Sequence, residues 1–334
     1  MKAFIVDRYG KKEKLHLREI ADPVVKENDV LVQVYAAGVN LLDSKIKNGE
    51  FKLILPYKTP FVLGHDVAGV VIKTGTKVSR FKVGDEVYAR PADHRMGTFA
   101  ERIAIDEADV AIKPKKLTME EAASIPLVAL TAWQALVEKA SLKKGQKVFI
   151  QAGSGGVGTI AIQLAKYMGA TVATTTGTAN VEWVKALGAD VVIDYKTEDF
   201  ETILRDYDVV LNSQDAGTLK KSLRVLKPGG KLISISGPPD PAFAEEIRLG
   251  GLLKMIMGFL SFGIRRKAKR RGVQYSFLFM RAEGSQLSKI TALIDSGIIR
   301  PVVDKVFPFD KTEEALTYVE SGRAKGKVVI YRNF

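Results

Sequence analysis

Over residues 147–236, short apolar runs alternate with helical stretches, and this alternation restricts the chain more than any other feature of its sequence. The runs are 147–152, 171–174, 191–194, 208–212 and 231–236. Helical periodicity covers 157–168, 181–187 and 219–226. Gly169, Gly188 and Gly229-Gly230 stand just past the helix ends, where a left-handed residue commonly closes a helix. Strands that are apolar throughout need burial on both faces, and helical connections provide it by making the sheet parallel. The expected class is α/β, with a doubly wound parallel sheet in this half.

The first hundred residues differ. Strand-like runs at 29–36, 67–72 and 82–88 are separated by turn residues such as Gly38 and Gly64, and no long helical period precedes Thr118. A compact, mostly β domain is expected there. Thr118 and Glu121 form a capping-box pair, which predicts a helix running through Leu136. Beyond Ser236 come a Gly-Pro-Pro-Asp-Pro turn at 237–241 and an apolar–basic segment to Arg271. A strand at 275–280, a helix at 285–296 and a strand–helix–strand stretch over 301–334 complete the chain. At 334 residues, two domains are the natural division.

The chain has no cysteine, which excludes disulfides, thiolate nucleophiles and cysteine-ligated zinc. Its three histidines, His16, His65 and His94, are too dispersed to form a local metal motif. The net charge of +13 favours anionic partners, among them phosphates, nucleic acid and acidic lipid. Residues 1–6 are apolar but broken at once by Asp7 and Arg8, unlike an export signal. The longest apolar stretch, 252–264, contains Lys254 and is shorter than the roughly 20 residues that span a bilayer. A cytoplasmic protein is expected.

The most informative motif follows the run 147–152. Gly153, Ser154, Gly155, Gly156, Val157 and Gly158 contain G-x-G-x-x-G between a strand and a helix. Glycines there permit a tight turn and close backbone approach, so a pyrophosphate can rest on the N–H groups and positive dipole end of the helix. A dinucleotide is the expected ligand. In an NAD site an acidic residue roughly 20 positions later holds the ribose 2′-hydroxyl. Here the second strand ends in Thr174-Thr175-Thr176-Gly177-Thr178 without an acid. Thr175 and Thr176 are therefore expected beside a 2′-phosphate, with NADPH as cofactor.

Taken together, the residues resemble the zinc-free quinone oxidoreductase branch of the medium-chain dehydrogenase/reductase family over nearly the whole chain. The resemblance rests on Ala37-Gly38-Val39-Asn40 with Asp43, Gly64-His65-Asp66-Val67-Ala68-Gly69, and Val83-Gly84-Asp85-Glu86-Val87-Tyr88. It continues through Gly97-Thr98-Phe99-Ala100-Glu101, Ala122-Ala123-Ser124-Ile125-Pro126, the glycine loop, and Gly322-Arg323-Ala324-Lys325-Gly326-Lys327. The alkenal/enone reductase members are the most similar.

This resemblance implies a GroES-like substrate domain, residues 1–121 with 299–334, and a Rossmann NADP-binding domain, residues 122–298, with the active site in the cleft. It implies that Tyr195 contacts the 2′-phosphate. Asn180 stands where relatives carry a lysine, a departure for which Lys185 or Arg323 is the candidate to compensate. Arg323 and Lys325 are counted with the cofactor-binding residues. Where zinc enzymes carry a ligand cysteine this chain has Asn40, and a lone His65-Asp66 pair makes a poor zinc site, so no metal is expected.

The implied reaction is zinc-independent hydride transfer from NADPH to the carbon–carbon double bond of a small enone or alkenal, or to a quinone. Hydride adds at the β-carbon while charge develops on the carbonyl oxygen, which calls for a donor. Asn40 can donate without titrating. Lys45 is a cation two residues after Asp43, where the resemblance places a functional lysine. Asn40, Asp43 and Lys45 are the candidate catalytic residues, with Tyr57, His94 and Arg95 as further candidates.

Residues 252–272 leave a second class of function open. Lys254, Arg265, Arg266, Lys267, Lys269, Arg270 and Arg271 supply +7 of the +13, with no acid among them. One reading is a nucleic-acid patch, since the resemblance includes crystallin-type relatives that bind RNA. Another is an element lying on an anionic membrane surface. The plainest is an apolar wall of the substrate pocket that ends in a solvated basic turn. The strand at 275–280 is expected at a sheet edge, where pairing with a second copy would make a homodimer.

Overall fold

The computed structural model describes residues 1–332; Asn333 and Phe334, at the end of the expected strand–helix–strand stretch, lie outside the described residues. The chain divides into two compact units, Met1–Leu130 with the segment from Arg281 onward, and Thr131–Met280.

The first unit opens with β1 (Lys2–Val6), β2 (His16–Glu19) and β3 (Asp29–Val39), followed by α1 (Leu41–Lys47) and β4 (Phe61–Val62). Next come β5 (Val67–Thr74), β6 (Glu86–Ala89), β7 (Arg102–Asp106), β8 (Val110–Ile112), α2 (Met119–Ala123) and α3 (Pro126–Trp133). β3 is the hub. Nearly all of its residues are buried, and it pairs antiparallel with both β5 and β7. Val30, Val32 and Val34 point into a core with Phe4, Leu63, Val71, Phe99 and Ile105.

The expected helix from Thr118 through Leu136 is interrupted. Thr118 and Glu121 do cap each other: Glu121 N donates to Thr118 Oγ1 at 3.2 Å, and Thr118 N to Glu121 Oε2 at 3.0 Å. Pro126 has no N–H to continue the ladder, so it starts a new helix, and residues 134–139 then widen into a π turn.

The second unit is β9 (Lys147–Ile150), α4 (Gly156–Tyr167), β10 (Thr171–Thr176), α5 (Val181–Ala186), β11 (Val191–Asp194), α6 (Phe200–Ile203) and β12 (Tyr207–Asn212). It continues with α7 (Ala216–Val225), β13 (Leu226–Ser234), α8 (Pro241–Glu246), α9 (Gly251–Arg270) and β14 (Gln274–Phe277). The six strands are parallel in the order β11-β10-β9-β12-β13-β14. β10 lies on one side of β9 and β12 on the other, so the order reverses there. A doubly wound sheet opens its ligand crevice at the carboxyl ends of strands flanking such a point. The strand expected at 275–280 stops at Phe277, because its partner β13 ends opposite at Ser234. It does stand at the sheet edge.

The chain then returns to the first unit through α10 (Gly284–Asp295), β15 (Val303–Pro308), α11 (Thr312–Glu320) and β16 (Lys327–Tyr331). β16 pairs with β15 and with β3, giving the order β15-β16-β3-β5-β6-β8. α10 belongs here because the Tyr88 hydroxyl donates to Leu287 O at 2.8 Å. Gly284 also lies so close to β8 that a Cβ would meet Val110 O at 2.4 Å. The unit therefore resumes at Arg281, where 299 was expected, and its first segment extends to Leu130, where 121 was expected. Among the described residues no helix is long and apolar enough to cross a membrane.

Just before β8, Asp109 Oδ2 accepts the Ala92 N–H at 2.9 Å and ties down the 91–97 segment. Burial, reinforced by Asp106, pushes the Asp109 carboxyl up to about 6. Unfolded, it ionises near about 4. Between those values the folded state holds the extra proton, so this group's contribution is present below about 4 and is lost as pH rises through about 6. Asp109→Asn keeps the acceptor without the charge. We expect urea unfolding to show the variant gaining on the wild type by on the order of 2 kcal/mol from acid to neutral pH.

Candidate active site

The loop from β9 into α4 explains its glycines one by one. Ala152 enters with φ 53°. A Cβ on Gly153 would lie 2.3 Å from Thr174 Oγ1, and one on Gly158 2.3 Å from Ala152 O. The first and third glycines are thus required by packing. The second is not: a Cβ on Gly155 would meet only Ala152 O, at 3.4 Å. Ser154, Gly155, Gly156 and Val157 remain partly exposed. No side chain caps α4 and no acid stands in its first turn, so its positive end is open to an anion.

Beneath the loop, a buried polar chain joins the carboxyl ends of three strands. Gln151 Nε2 donates to Ser222 Oγ and Asn212 Nδ2 donates to Gln151 Oε1, both at 2.6 Å. Asn212 Oδ1 accepts from Ser234 Oγ at 2.6 Å and from Ser236 Oγ at 3.2 Å. Such a network fixes the floor of the crevice where the strand order reverses. Sequence reasoning missed it, because Gln and Asn at strand ends carry no local signal.

The threonines expected beside a 2′-phosphate are buried instead. Thr175 Oγ1 accepts the Ala152 N–H at 3.2 Å and braces the loop, while the buried Thr176 hydroxyl has no partner among the described residues. Asn180 is engaged with its own helix, accepting from Trp183 Nε1 at 3.1 Å. What overhangs the turn after β10 is Tyr195 with its neighbour Lys196: from a Cβ on Gly177, Tyr195 Oη would be 3.4 Å away and Lys196 Cε 3.7 Å. Both side chains are exposed. Asp194 is committed locally; the Thr178 hydroxyl and the Lys196 N–H, at 2.5 Å and 3.0 Å, hold its carboxyl below the usual range. Lys185 is exposed on α5, and Arg323 and Lys325 are exposed in the turn between α11 and β16.

In the first unit, Asn40, Asp43, His65 and Asp66 converge, joined by a residue the sequence reading passed over, Lys327. Asp43 Oδ2 accepts the Asn40 N–H at 2.7 Å, which caps α1, and Asp43 Oδ1 accepts from His65 Nδ1 at 2.6 Å. His65 and Asp43 are fully buried, and His65 Nε2 has no hydrogen-bond partner among the described residues. Asn40 turns both amide protons inward, to Asp66 Oδ2 at 2.9 Å and Gly38 O at 3.3 Å. Lys327 Nζ donates to Asn40 Oδ1 at 2.5 Å, Asp66 Oδ2 at 3.0 Å and Val39 O at 3.2 Å. Leu127 N donates to the other Asp66 oxygen at 2.7 Å. Zinc does not fit this donor set. The carboxylate already holds a buried ammonium, Asp43 is spent on His65, and one imidazole nitrogen is left with no thiolate.

Asn40 and Asp43 were expected at the chemistry; in the structure their polar atoms are taken up by hydrogen bonds within the network. Lys45 differs. It is half-buried on α1, and its ammonium has no hydrogen-bond or ion-pair partner among the described residues. Arg95 forms a bidentate pair with Asp29, at 2.9 and 2.6 Å, and is structural. His94 has φ 64° and lies against the Tyr57 ring, 5.4 Å between centroids. Burial pushes the Tyr57 hydroxyl up to about 12, so it stays protonated at neutral pH.

A Rossmann unit with an open helix N-terminus, together with a GroES-like unit built around a buried Asn–His–Asp–Lys cluster, defines a class: dinucleotide-dependent oxidoreductases. The zinc-binding dehydrogenase family matches residues 187–330, and the alcohol dehydrogenase GroES-like domain matches residues 26–115. A 2-methylene-furan-3-one reductase of Solanum lycopersicum is 37% identical over 342 residues, covering 99% of this chain and 79% of that one. An NADPH-dependent alkenal/one oxidoreductase, chloroplastic, of Arabidopsis thaliana is 36% identical with the same coverage of both. The solved quinone oxidoreductase of Coxiella burnetii has a TM-score of 0.84 at 29% identity, with 99% of each chain covered. The chain belongs to the medium-chain dehydrogenase/reductase family and is an NAD(P)H-dependent oxidoreductase of that type.

Removing one member of a buried ion pair leaves the other uncompensated, at about 3–5 kcal/mol. Lys327→Met is expected to lose that much in urea unfolding. Asp66→Asn in the Lys327→Met background should recover part of it, since the stranded charge is then gone.

Proposed function

We propose that this protein uses NADPH to reduce the carbon–carbon double bond of small α,β-unsaturated aldehydes and ketones, or quinones. The observation that carries the cofactor reading is the end of β10, which carries no acid over residues 174–178 and whose Gly177 is overhung by Tyr195 and Lys196, while the nearby Asp194 carboxylate is taken up by Thr178 and the Lys196 N–H. A carboxylate there would repel a 2′-phosphate, whereas a phenol and an ammonium can donate to it. Lys196 then takes the part of the lysine that Asn180 replaces. Ser154, Gly155, Gly156 and Val157 would cradle the pyrophosphate at the α4 N-terminus. Arg323 and Lys325 are kept as cofactor contacts within the same reading. The substrate class is supported by the names of the relatives, an alkenal/one oxidoreductase and a furanone reductase.

When bound, the reduced nicotinamide supplies a hydride. The protein's own share is to stabilise the charge that develops on the substrate oxygen and to let a proton reach the α-carbon. Lys45 is the group for the oxygen, because its ammonium is not spent on any neighbour among the described residues. A positioned donor of this kind is worth about 10²–10³ in rate. Asn40 and Asp43 hold the start of α1, and through it Lys45, in place. A homodimer paired along β14 belongs to this reading, as that strand ends the sheet.

Purified protein should oxidise NADPH in the presence of a small enone, and no turnover across a panel of enones and quinones would end the proposal. Lys45→Ala is expected to lower kcat about 100-fold with little change in KM. Lys196→Ala should raise KM for NADPH about tenfold and leave that for NADH unchanged, as expected for loss of one charge-assisted hydrogen bond.

The glycines permit a separate check. Gly153→Ala should lower Tm by several degrees because its Cβ has no room, at a cost of about 1–3 kcal/mol. Gly155→Ala should leave Tm near that of the wild type and weaken NADPH binding in a fluorescence titration. Equal loss of stability in both would mean that the second glycine serves packing and not ligand approach.

A further inference from the structure

We propose that α9 is an interfacial helix that docks this protein on anionic lipid bilayers. Its inner row is Met257, Ser261, Ile264 and Ala268, spaced by four, three and four residues and buried against the second unit. Most of the other side chains of its first three turns are also apolar and face solvent. Leu252, Met255, Ile256, Leu260 and Phe262 are exposed, and Phe259 is 85% exposed. At about 100° per residue, positions 252, 255, 256, 259 and 260 share one outward stripe opposite the buried row. Lys254, the one cation in this half, is neutralised by an ion pair with Glu245.

The same outward stripe continues into Arg266, Lys267 and Arg270. With Arg265, Lys269 and Arg271 these make six exposed cations, none with an ion-pair partner among the described residues. Residues 251–271 contain no Asp or Glu. The segregation therefore runs along the helix: apolar turns first, basic turns last, on one face. A surface that is both apolar and anionic complements it, and a bilayer with acidic headgroups offers both at the required depth, acyl chains below and phosphates above. A second copy pairing through the same helix face would offer no acid to the basic end and would gather two such clusters. Nucleic acid satisfies the cations but leaves Leu252, Met255, Ile256 and Leu260 without an apolar partner.

Flotation of the full-length protein with vesicles tests this. Wild type should float with phosphatidylcholine–phosphatidylserine vesicles at low salt, be released at high salt, and stay behind with phosphatidylcholine alone. Arg266→Gln with Arg270→Gln should weaken binding about fivefold per cation removed, the factor that about 1 kcal/mol per basic residue gives. Phe259→Ser with Leu260→Ser should abolish flotation while the circular-dichroism melt is unchanged, as both side chains face solvent.

The proposal is overturned if wild type does not float with acidic vesicles, or if the Phe259/Leu260 variant floats as well as wild type. It is also overturned if that variant converts a larger assembly into a smaller one by light scattering, since the face then belongs to a second copy. Salt-sensitive binding of poly(U) without binding to acidic vesicles would assign the basic turns to nucleic acid instead.

Discussion

The first unit is held closed by one buried ammonium. Its chain leaves at Leu130 and returns at Arg281, so its sheet is complete only when β16 docks beside β3. Lys327 sits at the first position of β16 and reaches Val39 O, Asn40 Oδ1 and Asp66 Oδ2. Desolvating an ammonium costs several kcal/mol, and here the cost is offset only because three acceptors and one full negative charge converge on it. Asp66 is equally saturated, by Lys327, Asn40 and the Leu127 N–H. Each group is satisfied only in the presence of the others, so α1, the His65-Asp66 turn, the start of α3 and β16 are placed together. The position of Lys45 follows, because α1 is aimed from Asn40.

In the second unit, polar groups organise space for a ligand more than they close the fold. Gln151, Asn212, Ser222 and Ser234 satisfy one another and leave the carboxyl ends of β9, β12 and β13 at fixed heights. Above them, Gly153 and Gly158 bring α4 hard against the sheet, while Gly155 leaves room on the outer side. The uncapped helix end is then a donor array without an internal acceptor. An anion supplies what the fold withholds.

How much could be read beforehand follows from the range of each interaction. The doubly wound unit was legible because strand length, helix period and glycine caps are local; most of those elements fall within two residues of expectation, while α7 begins three and β13 five residues earlier. The capping box at Thr118 was legible for the same reason. The break at Pro126 needed only the missing N–H and was still passed over, because the apolar pattern continues through it. Lys327 was quoted only as the end of a family motif, and its burial was not legible, because its partners lie 261 and 287 positions away. Counting from the glycine loop found the missing acid after β10 but not which side chains overhang that turn. That depended on Lys196 folding over Gly177 from the next strand and on Asn180 being taken by Trp183.

The basic half of α9 has a sufficient explanation within the fold. A helix C-terminus carries partial negative charge, so Lys267, Lys269 and Arg270 in the last turn are stabilised there without further partners. The apolar half has none. The row Met257, Ser261, Ile264 and Ala268 is all that the sheet requires, and a helix that merely covered it would turn polar side chains outward. Phe259 is 85% exposed in the folded chain, and Leu252, Met255 and Leu260 keep more than half of their surface in solvent, so burial of these side chains adds little to stability. The exposed apolar stripe is therefore what the docking proposal rests on, and the cations on the same face bear only on which surface would complement it.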